Sequence, residues 1–227
     1  MRAIVPAALF AAIVPFVAGA ADAPNDLARD RGDVAYALPA ASATTMPVIG
    51  RIALPDDARA VTGFRAAATL TLPDSSTVQI GDRTDVRIGA FRGGATQVFD
   101  LKRGALRFVI RHPQGGRADY LFRTPTSQLG VRGTLAYLVS GPGGDQIYCV
   151  DCAPGDVTVR AAGETYAVAS GQTLNVRRIL NRAFDAAIVP NASVNNPAID
   201  QFLKGYSPFG RRASDGGTDP TASESGT

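Results

Sequence analysis

Cys149 and Cys152 stand three positions apart in Cys149-Val150-Asp151-Cys152, the most chemically loaded spacing in the chain. Such a pair either closes a local disulfide or works as a thiol redox couple. Redox couples sit at a helix N-terminus, where the helix dipole lowers the thiol pKa. Here the flanks Gln146-Ile147-Tyr148 and Ala153-Pro154-Gly155 read as strand and turn. A structural Cys149–Cys152 disulfide is therefore expected in an oxidising compartment, and a thiol oxidoreductase is the rival reading. A loop of about four residues closed in this way contributes roughly 2 kcal/mol, enough to pin a turn but not to hold a fold. The one histidine, His112, precedes Pro113 and has no pattern nearby that suggests a serine nucleophile or an acid partner. One His and two Cys exclude an all-cysteine zinc site, an iron–sulfur cluster and any site with two His ligands. No catalytic residue, metal or cofactor is expected.

The charged residues offer binding before catalysis. Arg132 lies beside Gly133, as a buried fork on carbonyl oxygens or as a contact to an acidic ligand. Arg107 and Arg111 share one strand face, with Arg87 and Arg103 on neighbouring segments. That face reads as the polar exterior of a sheet, or as a holder of an anionic envelope glycan or lipid head group. Asp82 and Asp85, with Asp145, Asp151 and Asp156, lack the fixed spacing of a calcium loop and read as turn formers. Overall, 23 Lys and Arg face 20 Asp and Glu in 227 residues, for a net charge of +3. That balance is too even to point to nucleic acid.

These side chains need elements to hold them. From Val48 to Val176 short apolar alternations are separated by turn residues about every ten positions. Leu70 and Leu72 run into Pro73-Asp74-Ser75-Ser76; Leu106, Phe108 and Ile110 alternate with Arg107, Val109 and Arg111. Strands with one buried face need a second sheet over them. The expected fold is all-β, an antiparallel-rich sandwich or β-roll of short strands, with one or two short C-terminal helices. The helices are expected from Ile179, Leu180, Ala183, Phe184, Ala187 and Ile188 at helical spacing, then from Asn196-Pro197 with Ile199, Phe202 and Leu203 on one face.

The ends of the chain set the expected compartment. Met1-Arg2 precedes a largely apolar run, Ala3 to Val17, and then Ala18-Gly19-Ala20. This is the layout of a secretory signal peptide cut after Ala20. Retention as an anchor is the alternative, disfavoured by the many Ala, by Pro6 and Pro15, and by Gly19. The expected organisation is a signal peptide at 1–20, a linker-like arm at 21–48, a β-domain at 49–177, a short helical segment at 178–210 and a disordered tail at 211–227. The expected location is periplasmic or secreted, with no membrane span after cleavage.

The core segments also resemble the FecR domain family of periplasmic β-domains. The resemblance runs from Thr62-Gly63-Phe64-Arg65-Ala66 through Pro73-Asp74-Ser75-Ser76-Thr77-Val78 and Phe99-Asp100-Leu101-Lys102-Arg103-Gly104. It is most specific at Arg123-Thr124-Pro125-Thr126-Ser127-Gln128-Leu129-Gly130-Val131-Arg132-Gly133-Thr134, and it closes at Gly155-Asp156-Val157-Thr158-Val159 and Val168 to Leu174. Within that stretch Pro125 should preset a turn, Gly130 and Gly133 should allow positive φ or close backbone approach, and Thr134 should satisfy a nearby backbone group. Ser75 replaces the family's usual glycine, so a different turn type is expected, and Leu135-Ala136-Tyr137 replaces a run containing Phe. The family's regulators carry a cytoplasmic sigma-factor-binding domain and a membrane helix ahead of the β-domain. This chain starts on its leader, so it is similar to the stand-alone exported members. The resemblance implies a non-catalytic binding or scaffolding module of the cell envelope, with an unknown envelope protein or anionic glycan as partner. A signal-input protein docking on a membrane receptor through its C-terminal helices is the alternative.

Overall fold

The computed structural model describes residues 25–41, 43–90, 97–111, 119–179 and 183–203. The segment expected as a signal peptide, His112 and the segment expected as a disordered tail lie outside the described residues. Among the described residues seventeen strands form, in chain order: β1 Asn25–Arg31, β2 Val34–Ala37, β3 Met46–Pro47, β4 Arg51–Leu54, β5 Arg59–Thr62, β6 Ala67–Thr71, β7 Thr77–Ile80, β8 Asp85–Ile88 and β9 Gln97–Ile110. They continue as β10 Tyr120–Arg123, β11 Ser127–Val131, β12 Thr134–Gly141, β13 Gly144–Cys152, β14 Val157–Ala161, β15 Glu164–Ala167, β16 Gln172–Arg178 and β17 Phe184–Pro190. A short α-helix, α1 Pro197–Leu203, follows.

Backbone pairing sorts these strands into two sheets with one member in common. The first runs β4-β1-β6-β7-β9-β12-β13-β16-β17, antiparallel throughout. The second runs β3-β2-β5-β8-β9-β10-β11-β14-β15, and only β9–β10 is parallel. The shared strand, β9, changes sheets at Gly104. Its residues Phe99 to Arg103 pair with β8, with a bulge there, while Gly104 to Ile110 pair with β12. Gly104 has φ +105°, and a Cβ there would lie 2.4 Å from Thr84 Cα. Only glycine lets the strand bend this close to its neighbour.

Inward side chains of the two sheets meet in one core. Phe108 of the first sheet stacks on Phe122 of the second at 4.5 Å between centroids, and Phe122 stacks on Phe99 at 4.9 Å. All three rings are fully buried. Burying each stabilises by about 1.5–3 kcal/mol relative to exposure. The all-β sandwich is therefore as the apolar alternation predicts.

Two segments differ from the sequence expectation. Most of residues 25–47, expected as a linker-like arm, forms β1, β2 and β3, and β1 is an interior strand between β4 and β6. Its sequence is polar, but Leu27 is fully buried and the buried Asn25 amide oxygen accepts from Gln97 Nε2 at 3.3 Å. Residues 184–190, expected as helix, form the edge strand β17. Phe184, Ala186 and Ile188 also fit a two-residue period, and β16 supplies seven register partners to that strand. The second helical candidate forms as expected. Asn196 Oδ1 accepts from Ala198 N at 2.9 Å and Pro197 occupies the first turn. Ile199 and Phe202 pack with Ala105 and Tyr137 on the outer face of the first sheet.

Candidate functional site

A regular strand sends residues three apart to opposite faces, so a Cys-x-x-Cys pair on a strand cannot meet. β13 solves this with a bulge. Leu135 pairs with Asp151 and Ala136 with Cys149, so Val150 is the extra residue. The parity shift turns both cysteines inward, and they are joined as a disulfide with Cα atoms 6.1 Å apart. Cys149 is fully buried and Cys152 is 4% exposed. The surroundings are a strand, not a helix N-terminus. Thr134 Oγ1 donates to Asp151 O at 2.8 Å and lies 2.6 Å from Cys152 Sγ, so Thr134 does satisfy a backbone carbonyl.

The hydroxyl-rich segment Thr124-Pro125-Thr126-Ser127 turns between β10 and β11, as Pro125 suggests. Its three hydroxyls all point across the core to one carboxylate. Thr124 Oγ1 donates to Asp145 Oδ2 at 2.5 Å, Ser127 Oγ donates at 2.6 Å, and Thr126 Oγ1 donates to the same oxygen. Asp145 is 2% exposed and lies on β13 of the opposite sheet. It is not the turn former that its spacing suggests; it ties the sheets together. The signal was its parity with Ile147 and Cys149, which places it on the buried face. Of the other aspartates, Asp156 does form a turn, with its Oδ2 accepting from Ala153 N at 3.0 Å. Asp85 opens β8 and is gripped by Arg59, whose Nε and Nη2 donate to its two oxygens at 2.6 Å each. Burial pushes the Asp85 carboxyl up, but the Arg59 guanidinium, helped by Lys102 and Arg103, outweighs it and holds it below the usual range. Tyr120 donates to Asp74 Oδ2 at 2.6 Å, and burial together with that carboxylate pushes its phenol well up.

The three candidate arginines are not brought together. Arg107 lies on the outer face of the first sheet, where Nη1 donates to Gln79 Oε1 at 2.9 Å and the guanidinium lies 6.0 Å from the Tyr137 ring. Arg111 lies just past the end of β9, exposed, with its backbone N–H on Ser76 Oγ at 3.0 Å. Arg132 is on the second-sheet side, half-exposed, with Nε 3.3 Å from Asp119 Oδ1. It is therefore no buried fork. A shallow trough of about 360 Å³ runs past it, lined in part by Leu121, Gly130 and Thr158. Gly130 is an ordinary strand residue, and Gly133 has φ 158°, close to fully extended. Ser75 has φ +66°, so it adopts the left-handed turn conformation that glycine favours despite its side chain.

A second hollow, of about 320 Å³, lies between β13, β16 and the start of α1. Its residues are far apart in the chain, so no local sequence motif marks it. Gln146, Asn175, Arg177, Asn195 and Asn196 contribute to its lining. The amides are chained, with Gln146 Nε2 donating to Asn175 Oδ1 at 2.8 Å and Asn196 Nδ2 donating to Gln146 Oε1. Fixed amides beside an arginine present hydrogen-bond donors and one cation in a set geometry. Among the described residues no three His, Cys, Asp or Glu side chains gather as metal ligands, and no helix is long and apolar enough to cross a membrane.

Comparison with known proteins places this architecture. No curated protein sequence matches the chain. Two crystal structures of a candidate anti-sigma factor from Parabacteroides distasonis ATCC 8503 share the fold, with 14% identity and TM-scores of 0.50 and 0.51. Each match covers 65% of this chain and 64% or 65% of the other, less than two thirds of those chains' length. The FecR protein family model matches residues 58–158, which run from just before β5 into β14 and include the Thr124 to Ser127 turn, Asp145 and both cysteines. Residues 58–158 thus resemble a FecR domain, consistent with the resemblance carried by the motifs of that stretch.

Proposed function

We propose that this protein is a non-catalytic binding or scaffolding module of the cell envelope, working in the periplasm or outside the cell. The FecR domain, with a fold shared with a candidate anti-sigma factor, supports a signalling-related regulatory role. The observation that carries the binding reading is the amide-lined hollow beside α1. Gln146, Asn175 and Asn196 are oriented by their own hydrogen bonds, with Arg177 at the rim. Such a set suits the hydroxyls of a sugar and one acidic substituent, so an anionic envelope glycan is the proposed ligand class. The cysteines, bonded within a bulged strand, serve the fold in this reading.

Calorimetric titration with uronic-acid oligosaccharides tests it. Binding that falls at least about tenfold in Arg177→Ala and in Asn195→Ala supports the site. No binding to any of these glycans, together with no partner captured from an envelope fraction, sinks the proposal.

A second reading, docking on a membrane receptor, is favoured by the fold shared with the candidate anti-sigma factor. The surface would be the open edge of β17, since residues 184–190 are strand. Ile188→Pro, which removes an N–H from the open side of that edge strand, would weaken such docking while leaving glycan binding intact.

A further inference from the structure

Two turns of the same build meet at one place. Gly63-Phe64-Arg65-Ala66 joins β5 to β6, and Gly81-Asp82-Arg83-Thr84 joins β7 to β8. Each puts its arginine in the left-handed region, Arg65 at φ +54° and Arg83 at φ +49°. A long side chain rarely adopts that conformation, and glycine or asparagine would hold either position with less strain.

The two turns brace each other. Gly63 O accepts from Arg83 N at 2.9 Å and from Ala66 N at 3.4 Å. Thr62 Oγ1 donates to Gly81 O at 2.5 Å and accepts from Thr84 N at 2.9 Å. On this support stands Phe64, 61% exposed. The guanidinium carbons of Arg65 and Arg83 lie 5.0 and 4.7 Å from its ring centroid. Asp33 and Asp82 belong to adjoining turns, yet among the described residues neither arginine forms an ion pair. An exposed aromatic ring thus holds two cations together, against their mutual repulsion, on a strained but tightly hydrogen-bonded scaffold.

We propose that this double turn is a docking point for an anionic phospholipid surface, with the Phe64 ring entering the headgroup layer and Arg65 and Arg83 meeting lipid phosphates. Charge complementarity selects an anionic partner, and the exposed ring selects a bilayer interface. Aromatic rings settle at headgroup depth, where an apolar body and nearby polar groups are both accommodated. Arginines close to an anionic leaflet are each drawn to it, and guanidinium planes bind phosphate oxygens in pairs. Strained backbone of this kind is retained where the surrounding structure over-determines a functional presentation.

The test uses the full chain with phosphatidylglycerol–phosphatidylcholine vesicles and with pure phosphatidylcholine vesicles. Residues 1–24 are common to all variants, so differences between variants report the double turn. Arg65→Gln/Arg83→Gln should weaken binding to the anionic vesicles roughly 30-fold, at about one tenfold step or less per arginine. Phe64→Ser should weaken it at least about fivefold. Hydrogen exchange gives a second measurement that reads the turns directly. Amides of residues 63–66 and 82–84 should slow on adding anionic vesicles and not on adding neutral ones. Unchanged affinity in both variants overturns the proposal, as does unchanged exchange or equal slowing with neutral vesicles. Equal slowing by soluble polyglutamate would also overturn it, because the turns would then be a site for acidic peptide.

Discussion

Replacing Asp145 by alanine removes the common acceptor of three hydroxyls that reach it from the other sheet. A hydrogen bond to a charged group contributes about 1.5–3 kcal/mol net, so three independent bonds would sum to roughly 4.5–9 kcal/mol. They are not independent, because all three converge on one oxygen. The donors also keep other acceptors, since Thr124 Oγ1 lies 3.2 Å from Ser127 O and 3.0 Å from Ser127 Oγ. In addition, Asp145 Oδ1 is buried with no partner among the described residues, and alanine relieves that desolvation. These offsets bring the expected cost of Asp145→Ala to about 3–4 kcal/mol. Urea unfolding followed by circular dichroism reads it. With m of about 2 kcal/mol/M, the midpoint should fall by roughly 1.5–2 M while m stays constant. Thr126→Val alone should cost about 1 kcal/mol, and a double-mutant cycle with Asp145→Ala should give a coupling of about 1 kcal/mol. If Asp145→Ala stays within about 1 kcal/mol of wild type, or the coupling vanishes, the hydroxyl cage does not tie the sheets and the reasoning fails.

Four further perturbations follow from the same structure. A Cβ on Gly144 would lie 1.9 Å from Val176 O at φ +125°, so Gly144→Ala should cost more than about 4 kcal/mol by parting β13 from β16. A soluble variant with native near-ultraviolet dichroism would contradict this. Cys149→Ala/Cys152→Ala should lose about 2 kcal/mol, and a reductant should destabilise wild type but not the variant in urea titrations. Ala162 and Gly163 form the two-residue turn between β14 and β15 with φ of +52° and +85°, the geometry that favours Asn-Gly. Ala162→Asn should therefore raise stability by about 0.5 kcal/mol, read as a higher Tm. Asp85→Asn should cost about 2 kcal/mol near pH 7, the pair with Arg59 being mostly sheltered. Because the folded pKa of Asp85 is depressed, its contribution is full above about pH 4 and fades as pH falls through the folded value. The gap between wild type and Asp85→Asn should thus narrow towards low pH, and a constant gap would refute the assignment.

What the sequence disclosed was decided by periodicity. Leu106, Phe108 and Ile110 alternate cleanly, and the corresponding half of β9 is a half-buried strand. Asn196-Pro197 carries its own capping chemistry, and α1 begins there. β1 was hidden because Asn25, Asp26, Arg29, Asp30 and Arg31 give it a polar composition, while its place is fixed by β4 and β6 from far along the chain. β17 was misread because Phe184, Ala187 and Ile188 fit a helical period while Phe184, Ala186 and Ile188 fit a strand period. Sheet pairing decides between them, and pairing is non-local. The disulfide was legible from two cysteines in a strand-like context, but the bulge that turns both inward was not. Asp145 shows how composition misleads: beside Gly143 and Gly144 it resembles a turn residue, whereas strand parity buries it. The hollow beside α1 unites residues from 146 to 196, which no local pattern could associate.

One strand gives the fold its cooperativity. The first half of β9 holds the second sheet and its last seven residues hold the first, so neither sheet can melt without losing a central member shared with the other. Its parallel pairing with β10 and the docking of β1 on β6 both require distant segments to meet before much is gained. Such topology makes folding slow and all-or-none, with little stability available to fragments. A break in the chain near Gly104 would therefore not release a smaller working module. It would unlock both layers at once.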